Sequence, residues 1–177
     1  MTQKVTYKLV KRTYLEFRKN SLPQIPDRLE NVEIFRLENP TASFYLFLYK
    51  EVGQEFGWAD RLLKTKEELL SIIQNPLVDI YVLYVSGVPA GYAEVDRQNT
   101  SEYFLTFFGL VPEFRGAGLG KYFLRWVIGK VFETNPEKLS LDTMDQDHPA
   151  ALHNYLKAGF VIVDERIEKQ TVIEEEN

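Results

Sequence analysis

The chain is 177 residues long, 45% hydrophobic and 14% aromatic, which suits one folded domain, residues 1–177, with a core of its own. No apolar run approaches the ~18 residues of a membrane span, the N-terminus "MTQKVTYKLVKR" lacks the apolar segment of a secretion signal, and the absence of cysteine excludes disulfides, thiolate metal sites and a cysteine nucleophile. A net charge of -5 at pH 7 leaves no overall attraction to nucleic acid, so any anion site must be local; a cytoplasmic protein, monomer or homodimer, is expected.

In chain order, "VTYKLVKRTYLEF" is compatible with a strand. The Pro-punctuated "SLPQIPDRLENVEIFRLENP" follows and reads as a connection. "TASFYLFLYKEV" is apolar on most faces and predicts a largely buried helix. Thr65 and Glu68 then form a capping box ahead of "LLSII", a second helix that Pro76 ends. "DIYVLYV" and "AGYAEVD" flank "SGVP" in a hairpin pattern, and "EYFLTFFGLV" is a third strand, rich in Phe. Further on, Leu119, Tyr122, Phe123, Trp126, Val127 and Val131 recur at helical spacing. "KLSLDTM" predicts a short strand, "PAALHNYLKA" a helix with Pro149 in its first turn and Gly159 past its end, and "FVIVDERIEKQTVI" a last strand. Helices, an antiparallel meander and then β-α-β-α-β make the expected fold class α+β, with a mixed, mostly antiparallel central sheet flanked by helices.

Between the Phe-rich strand and the helix after it lies "VPEFRGAGLGK", with Gly116, Gly118 and Gly120 inside five residues. The first backbone N–H groups of a helix have no internal partner, and glycines let a ligand approach them closely, so an anion is the natural guest. The spacing excludes the two common phosphate loops. A Walker loop needs four residues between its glycine and Gly-Lys, whereas Gly116 and Gly120 enclose three, and Tyr122 stands where a hydroxyl would hold magnesium. A Rossmann fingerprint begun at Gly116 would end on a glycine at the position of Lys121. Arg115, Gly118 and Gly120 leave the pattern Arg-x-x-Gly-x-Gly.

That loop resembles the acetyl-coenzyme A pyrophosphate loop of the GNAT N-acetyltransferase superfamily. "AALHNYLKAGF", with Tyr155 five residues before Phe160, resembles the family's second motif, in the family's order and at a compatible separation. The resemblance covers the chain from Ile80 to the last strand, the earlier residues matching only in general layout. It implies a GNAT fold and an N-acetyltransferase that moves an acetyl group from acetyl-coenzyme A to a primary amine by direct attack. In that reading the N–H groups of Gly116, Ala117, Gly118, Leu119, Gly120 and Lys121 hold the pyrophosphate beside Arg115. The strand backbone at Leu110 and Val111 pairs with the pantetheine arm. His148 stands where many members carry asparagine, seven residues before the tyrosine, in contact with the cofactor.

The chemistry gives further residues a place. An amine near pKa ~10.4 is mostly protonated at pH 7 and needs a base. Glu94, amid an apolar strand pair, is the expected base, with Glu102 in reserve. A strand N–H beside Leu110 is placed to stabilise the thioester oxygen. The departing thiolate benefits from an acid, and the second motif implies Tyr155; on spacing alone, Tyr155 shares a helix face with Ala151, Leu152 and Ala158 and reads as core. The family resemblance makes Tyr45, Tyr49 and Trp58 candidates to line the acceptor pocket, and as aromatics of a largely buried region they read equally as core. His148 and His153 have no carboxylate at matching spacing, so no metal is assigned. A coenzyme A-binding sensor or structural module without turnover is a second class the same loop allows, and an unrelated nucleotide-binding domain using the glycine loop is a third.

Overall fold

The computed structural model describes residues 3–19 and 22–175. Seven strands form a single mixed sheet in the order β2-β3-β4-β5-β6-β1-β7. The strands are β1 (Gln3–Arg18), β2 (Val32–Arg36), β3 (Val78–Val85), β4 (Val88–Asp96), β5 (Glu102–Leu110), β6 (Lys138–Met144) and β7 (Val161–Glu175). The helices are α1 (Ala42–Gly53), α2 (Lys66–Ile73), α3 (Leu119–Phe132) and α4 (Ala151–Ala158). Every strand pairing is antiparallel except β5 with β6, which α3 joins by the crossover that a parallel pair requires.

Strand alternation divides the core between two faces. Val78, Ile80, Val82 and Tyr92 face α1 and α2, meeting Tyr45, Leu48, Tyr49 and Val52 of α1, a stripe at i, i+3, i+4 and i+7. Tyr81, Leu83, Ala93, Val95 and Leu105 face the other way, onto Phe123, Leu124, Val127, Ile128 and Val131 of α3. Phe17 of β1 is fully enclosed on that face, against Phe132 at 5.6 Å and Phe160 at 5.5 Å between ring centroids. The capping box of α2 is present in both directions, Glu68 N–H to Thr65 Oγ1 and Thr65 N–H to Glu68 Oε2.

One feature departs from the sequence reading. Val32–Arg36 is a strand rather than part of a loop: Val32 points into the core while Phe35 on the same strand is 52% exposed, which hides the alternation. The first segment is a strand, as its sequence allows. β1 lies between β6 and β7, in register with Arg12 opposite both Met144 and Arg166.

The β3–β4 hairpin turns on Ser86 and Gly87, with φ of 50° and 81°. Two positive φ values at the centre of a two-residue loop are the type I′ geometry, which favours Asn-Gly and costs a serine roughly 1 kcal/mol or more. Ser86→Asn is therefore expected to stabilise the protein by up to about 1 kcal/mol, read as a higher urea midpoint at unchanged slope.

Candidate active site

The parallel pair of β5 and β6 is short. Only Glu102, Tyr103 and Phe104 pair with Lys138, Leu139 and Ser140; beyond them the strands part. The closed end of this wedge is pinned by charge. Lys138 Nζ reaches Glu16 Oε1 at 2.5 Å and Glu102 Oε1 at 3.2 Å, and Ser140 Oγ donates to Glu102 at 2.6 Å. Glu102, the reserve base, is thus spent at the hinge and does not line the cleft.

Past the hinge, β5 has an extra residue. Glu94 pairs with Phe107 and Val95 with Leu105, leaving Thr106 in a bulge that bends the strand further from β6. Between the parted strands opens a cleft of about 730 Å³ whose walls include residues 104–110 of β5, Asp142 and Met144 of β6, and Ala151, Asn154 and Tyr155 of α4. That volume suits a sizeable organic ligand.

The glycine loop forms one end of this cleft, with Arg115, Gly116, Gly118, Gly120 and Lys121 on the wall. Gly118 caps α3 at φ 79°, and a Cβ built there would meet no atom within 4 Å. Among the described residues, no backbone partner is found for the N–H groups of residues 116–121; the first helical bond is Tyr122 N–H to Gly118 O at 3.1 Å. A left-handed glycine with open space before it and a fan of free N–H groups is a fitting cradle for an anion. Of the six residues expected to supply these groups, Ala117 and Leu119 add no side chain to the wall; Leu119 packs toward the α3 core. Arg115 spans the loop, its Nε donating to Leu110 O at 3.1 Å and its guanidinium meeting Glu55 and the Phe56 ring.

One strand contact needs correction. Val111, expected to pair with a ligand arm, already donates its N–H to Ala90 O at 2.9 Å and is buried behind the cleft. Strand alternation then turns the N–H groups of Leu110 and Phe108 toward the wedge. Leu110 is consequently the free edge, and Phe108 the residue that the sequence reading missed. His148 is on the wall but spends Nδ1 accepting the Ala150 N–H at 3.1 Å, at the start of α4, and meets the Phe56 ring edge-on at 6.2 Å. Asn154 shares the cleft-facing stripe of α4 with Ala151 and Tyr155.

Tyr155 is on the cleft wall, 8% exposed, its ring against Phe108 at 6.3 Å and Phe160 at 5.8 Å between centroids. Burial raises its hydroxyl pKa well above the ordinary tyrosine value, and the charges of Asp147 and Asp142 raise it further. Asp147 is fixed by Thr143 Oγ1 and Met144 N–H, each at 2.8 Å, and by Trp58 Nε1 at 3.2 Å. Tyr49 and Trp58 line the cleft as expected; Tyr45 does not, being fully enclosed.

Glu94, the expected base, is 1% exposed and absent from the cleft wall. Arg61 Nη2 holds one of its carboxylate oxygens at 2.6 Å, and the Tyr45 hydroxyl holds the other. The guanidinium of Arg61 lies over the Phe107 ring at 5.0 Å, so the closed pair supports that wall of the cleft from behind. Its geometry is that of a satisfied buried ion pair.

A parted parallel pair with an unpartnered glycine loop at its mouth narrows the choice of families, and the comparison decides it. The sequence model described as acetyltransferase (GNAT) family matches residues 32–160. The chain belongs to this GNAT acetyltransferase family. The match begins well before Ile80 and takes in α1 and α2, while β1 and β7 fall outside it. No curated protein matches the chain. Among solved structures, this GNAT chain is similar to a functionally unknown conserved protein from Staphylococcus epidermidis, at 18% identity and a TM-score of 0.68, covering 96% of this chain and 63% of that one. It is also similar to a GCN5-related N-acetyltransferase from Sphaerobacter thermophilus, at 15% identity and a TM-score of 0.69, covering 95% and 52%. A third is an aminoglycoside acetyltransferase from an uncultured soil metagenomic sample, at 15% identity and a TM-score of 0.60, covering 73% and 88%. At such identities the likeness is one of fold, and the chain spans half to two thirds of the length of the first two.

Proposed function

We propose that the protein is an N-acetyltransferase that takes acetyl-coenzyme A as donor and a primary amine as acceptor, joined in one ternary complex. The observation that carries this reading is the unpartnered N–H fan of residues 116–121 opening into the same cleft as the Tyr155 hydroxyl. The donor supplies an activated acetyl group and a thiol leaving group. Gly116 to Lys121 and Arg115 would hold its pyrophosphate, and the free edge of β5 at Phe108 and Leu110 would bond its amide-bearing arm. One of those strand N–H groups would stabilise the charge developing on the carbonyl oxygen. Tyr155, kept protonated by its surroundings, would deliver a proton to the departing sulfur.

The acceptor would enter from the α1 side, past Tyr49 and Trp58, where Asp60 and Asp147 favour a cation and Asp142 is paired with Arg12 on the same wall. The test is a panel of spermidine, sisomicin and an N-acetyl-blocked lysine peptide, assayed for thiol release from acetyl-coenzyme A. Amine-dependent release is the expected result. Calorimetric binding of coenzyme A without release from any amine would make the protein a coenzyme A-binding module instead.

A further inference from the structure

We infer that Asp142 of β6 is the carboxylate that receives the acceptor's ammonium group and takes its proton, an inference that rests on the acetyltransferase reading above. Strand alternation puts Asp142 on the face opposite Leu141, which packs with α3 and α4, and so on the side open to the acceptor. One of its oxygens bonds Arg12; for the other no partner is found among the described residues. In this it differs from Glu94, both of whose oxygens are occupied behind the wall.

The surroundings of Asp142 suit a group that gains and loses a proton. Arg12 also engages Glu168 through Nε at 3.1 Å and Gln170 through Nη2 at 2.6 Å, so its charge stays paired when Asp142 is protonated. The charged and titratable groups facing Asp142 are Arg12 and Tyr14 from β1, Glu168 from β7, Asp147 from the segment after β6 and Tyr155 across the cleft. Burial lifts the Asp142 carboxyl above the usual range; Arg12 opposes this, and Asp147 and Glu168 add to it. A lifted carboxyl is a better match to proton removal near neutrality than an ordinary one.

The step balances. Asp142 takes one proton from the ammonium and later loses it to solvent. The freed nitrogen lone pair forms the C–N bond as the C–S bond breaks, Tyr155 gives its proton to sulfur, and the second proton shed by nitrogen restores Tyr155. The sum is R–NH3+ plus thioester to amide, thiol and one released proton.

The experiment compares wild type with Asp142→Asn, Glu94→Gln and Glu168→Gln, using whichever of spermidine, sisomicin or the blocked lysine peptide wild type acetylates fastest. Asp142→Asn should lose about 10²-fold or more in turnover at pH 7. It should recover toward pH 10 as the amine deprotonates itself, with coenzyme A affinity unchanged. Glu168→Gln removes a charge that lifts the Asp142 carboxyl and leaves Arg12 more fully to it, so the acid limb of kcat/KM should move to lower pH. A purely structural Asp142 would alter stability and leave both pH profiles in place. Wild-type pH dependence in Asp142→Asn and in Glu168→Gln overturns the assignment, and the same loss appearing in Glu94→Gln would return the role to Glu94. If wild type acetylates none of the three amines, the acetyltransferase reading fails first and this assignment falls with it.

Discussion

Gly118→Asp is expected to cut coenzyme A affinity by about 10²- to 10³-fold while the protein still folds. The residue caps α3 at φ 79°, a conformation that costs an L side chain roughly 1–2 kcal/mol, and that strain falls on a loop rather than on the core. The larger effect is at the ligand. Open space lies before the Gly118 Cβ position, so an aspartate there would place a carboxylate where the N–H fan of residues 116–121 faces outward. Two or three charge-assisted hydrogen bonds of about 1.5 kcal/mol each would be lost, and 1.4 kcal/mol is a factor of ten in binding. Gly118→Ala separates the causes: it carries the strain without the charge, and a titration calorimeter should report a far smaller loss. Coenzyme A binding to Gly118→Asp at wild-type affinity would remove the loop from the pyrophosphate site.

The second large effect is expected from Tyr155→Phe. Phenylalanine keeps the ring that packs on Phe108 and Phe160, and it removes only a hydroxyl. Thermal melting and coenzyme A affinity should therefore stay close to wild type. If the hydroxyl protonates the leaving sulfur, single-turnover acetyl transfer should fall by about 10²-fold, the lower bound of what a positioned acid supplies. The loss belongs to the chemical step, because the proton is needed only as the C–S bond breaks. A rate within about a factor of two of wild type, below any general-acid contribution, would leave Tyr155 as packing alone.

A buried ring and a place on the cleft wall are not alternatives for Tyr155, and this explains why spacing read it as core. The helix face that buries its ring also carries Ala151 and Asn154 along the cleft, so one residue serves the core and the wall together. Local pattern was sufficient for such features: the capping box of α2, the β3–β4 hairpin, the apolar stripe of α3 and the glycine loop all depend on residues close together in the chain. Features set by distant pairing were not legible. Nothing near Glu94 announces that Arg61, 33 residues earlier, will occupy it. Nor does "KLSLDTM" reveal that Asp142 will face Arg12, 130 residues before it, because that meeting depends on β1 entering the sheet between β6 and β7. Val111 was misplaced by one residue for a related reason: alternation fixes which N–H groups reach the wedge, but the phase is set by the pairing with Ala90.

The position of β1 also bears on how the protein is made. Arg12 is synthesised well before its neighbours in the sheet, which are supplied by residues 138–144 and 161–175. At a synthesis rate of about 5–20 residues per second, β1 waits for roughly six to thirty seconds as an unpaired strand. Through that interval the glycine loop and the meander can already assemble, while the far wall of the cleft does not exist. A nascent chain of this protein would thus complete the glycine-loop end of the cleft before the wall that carries Asp142, and the waiting strand, with Tyr7 and Leu9 on it, is the segment a holdase chaperone would find.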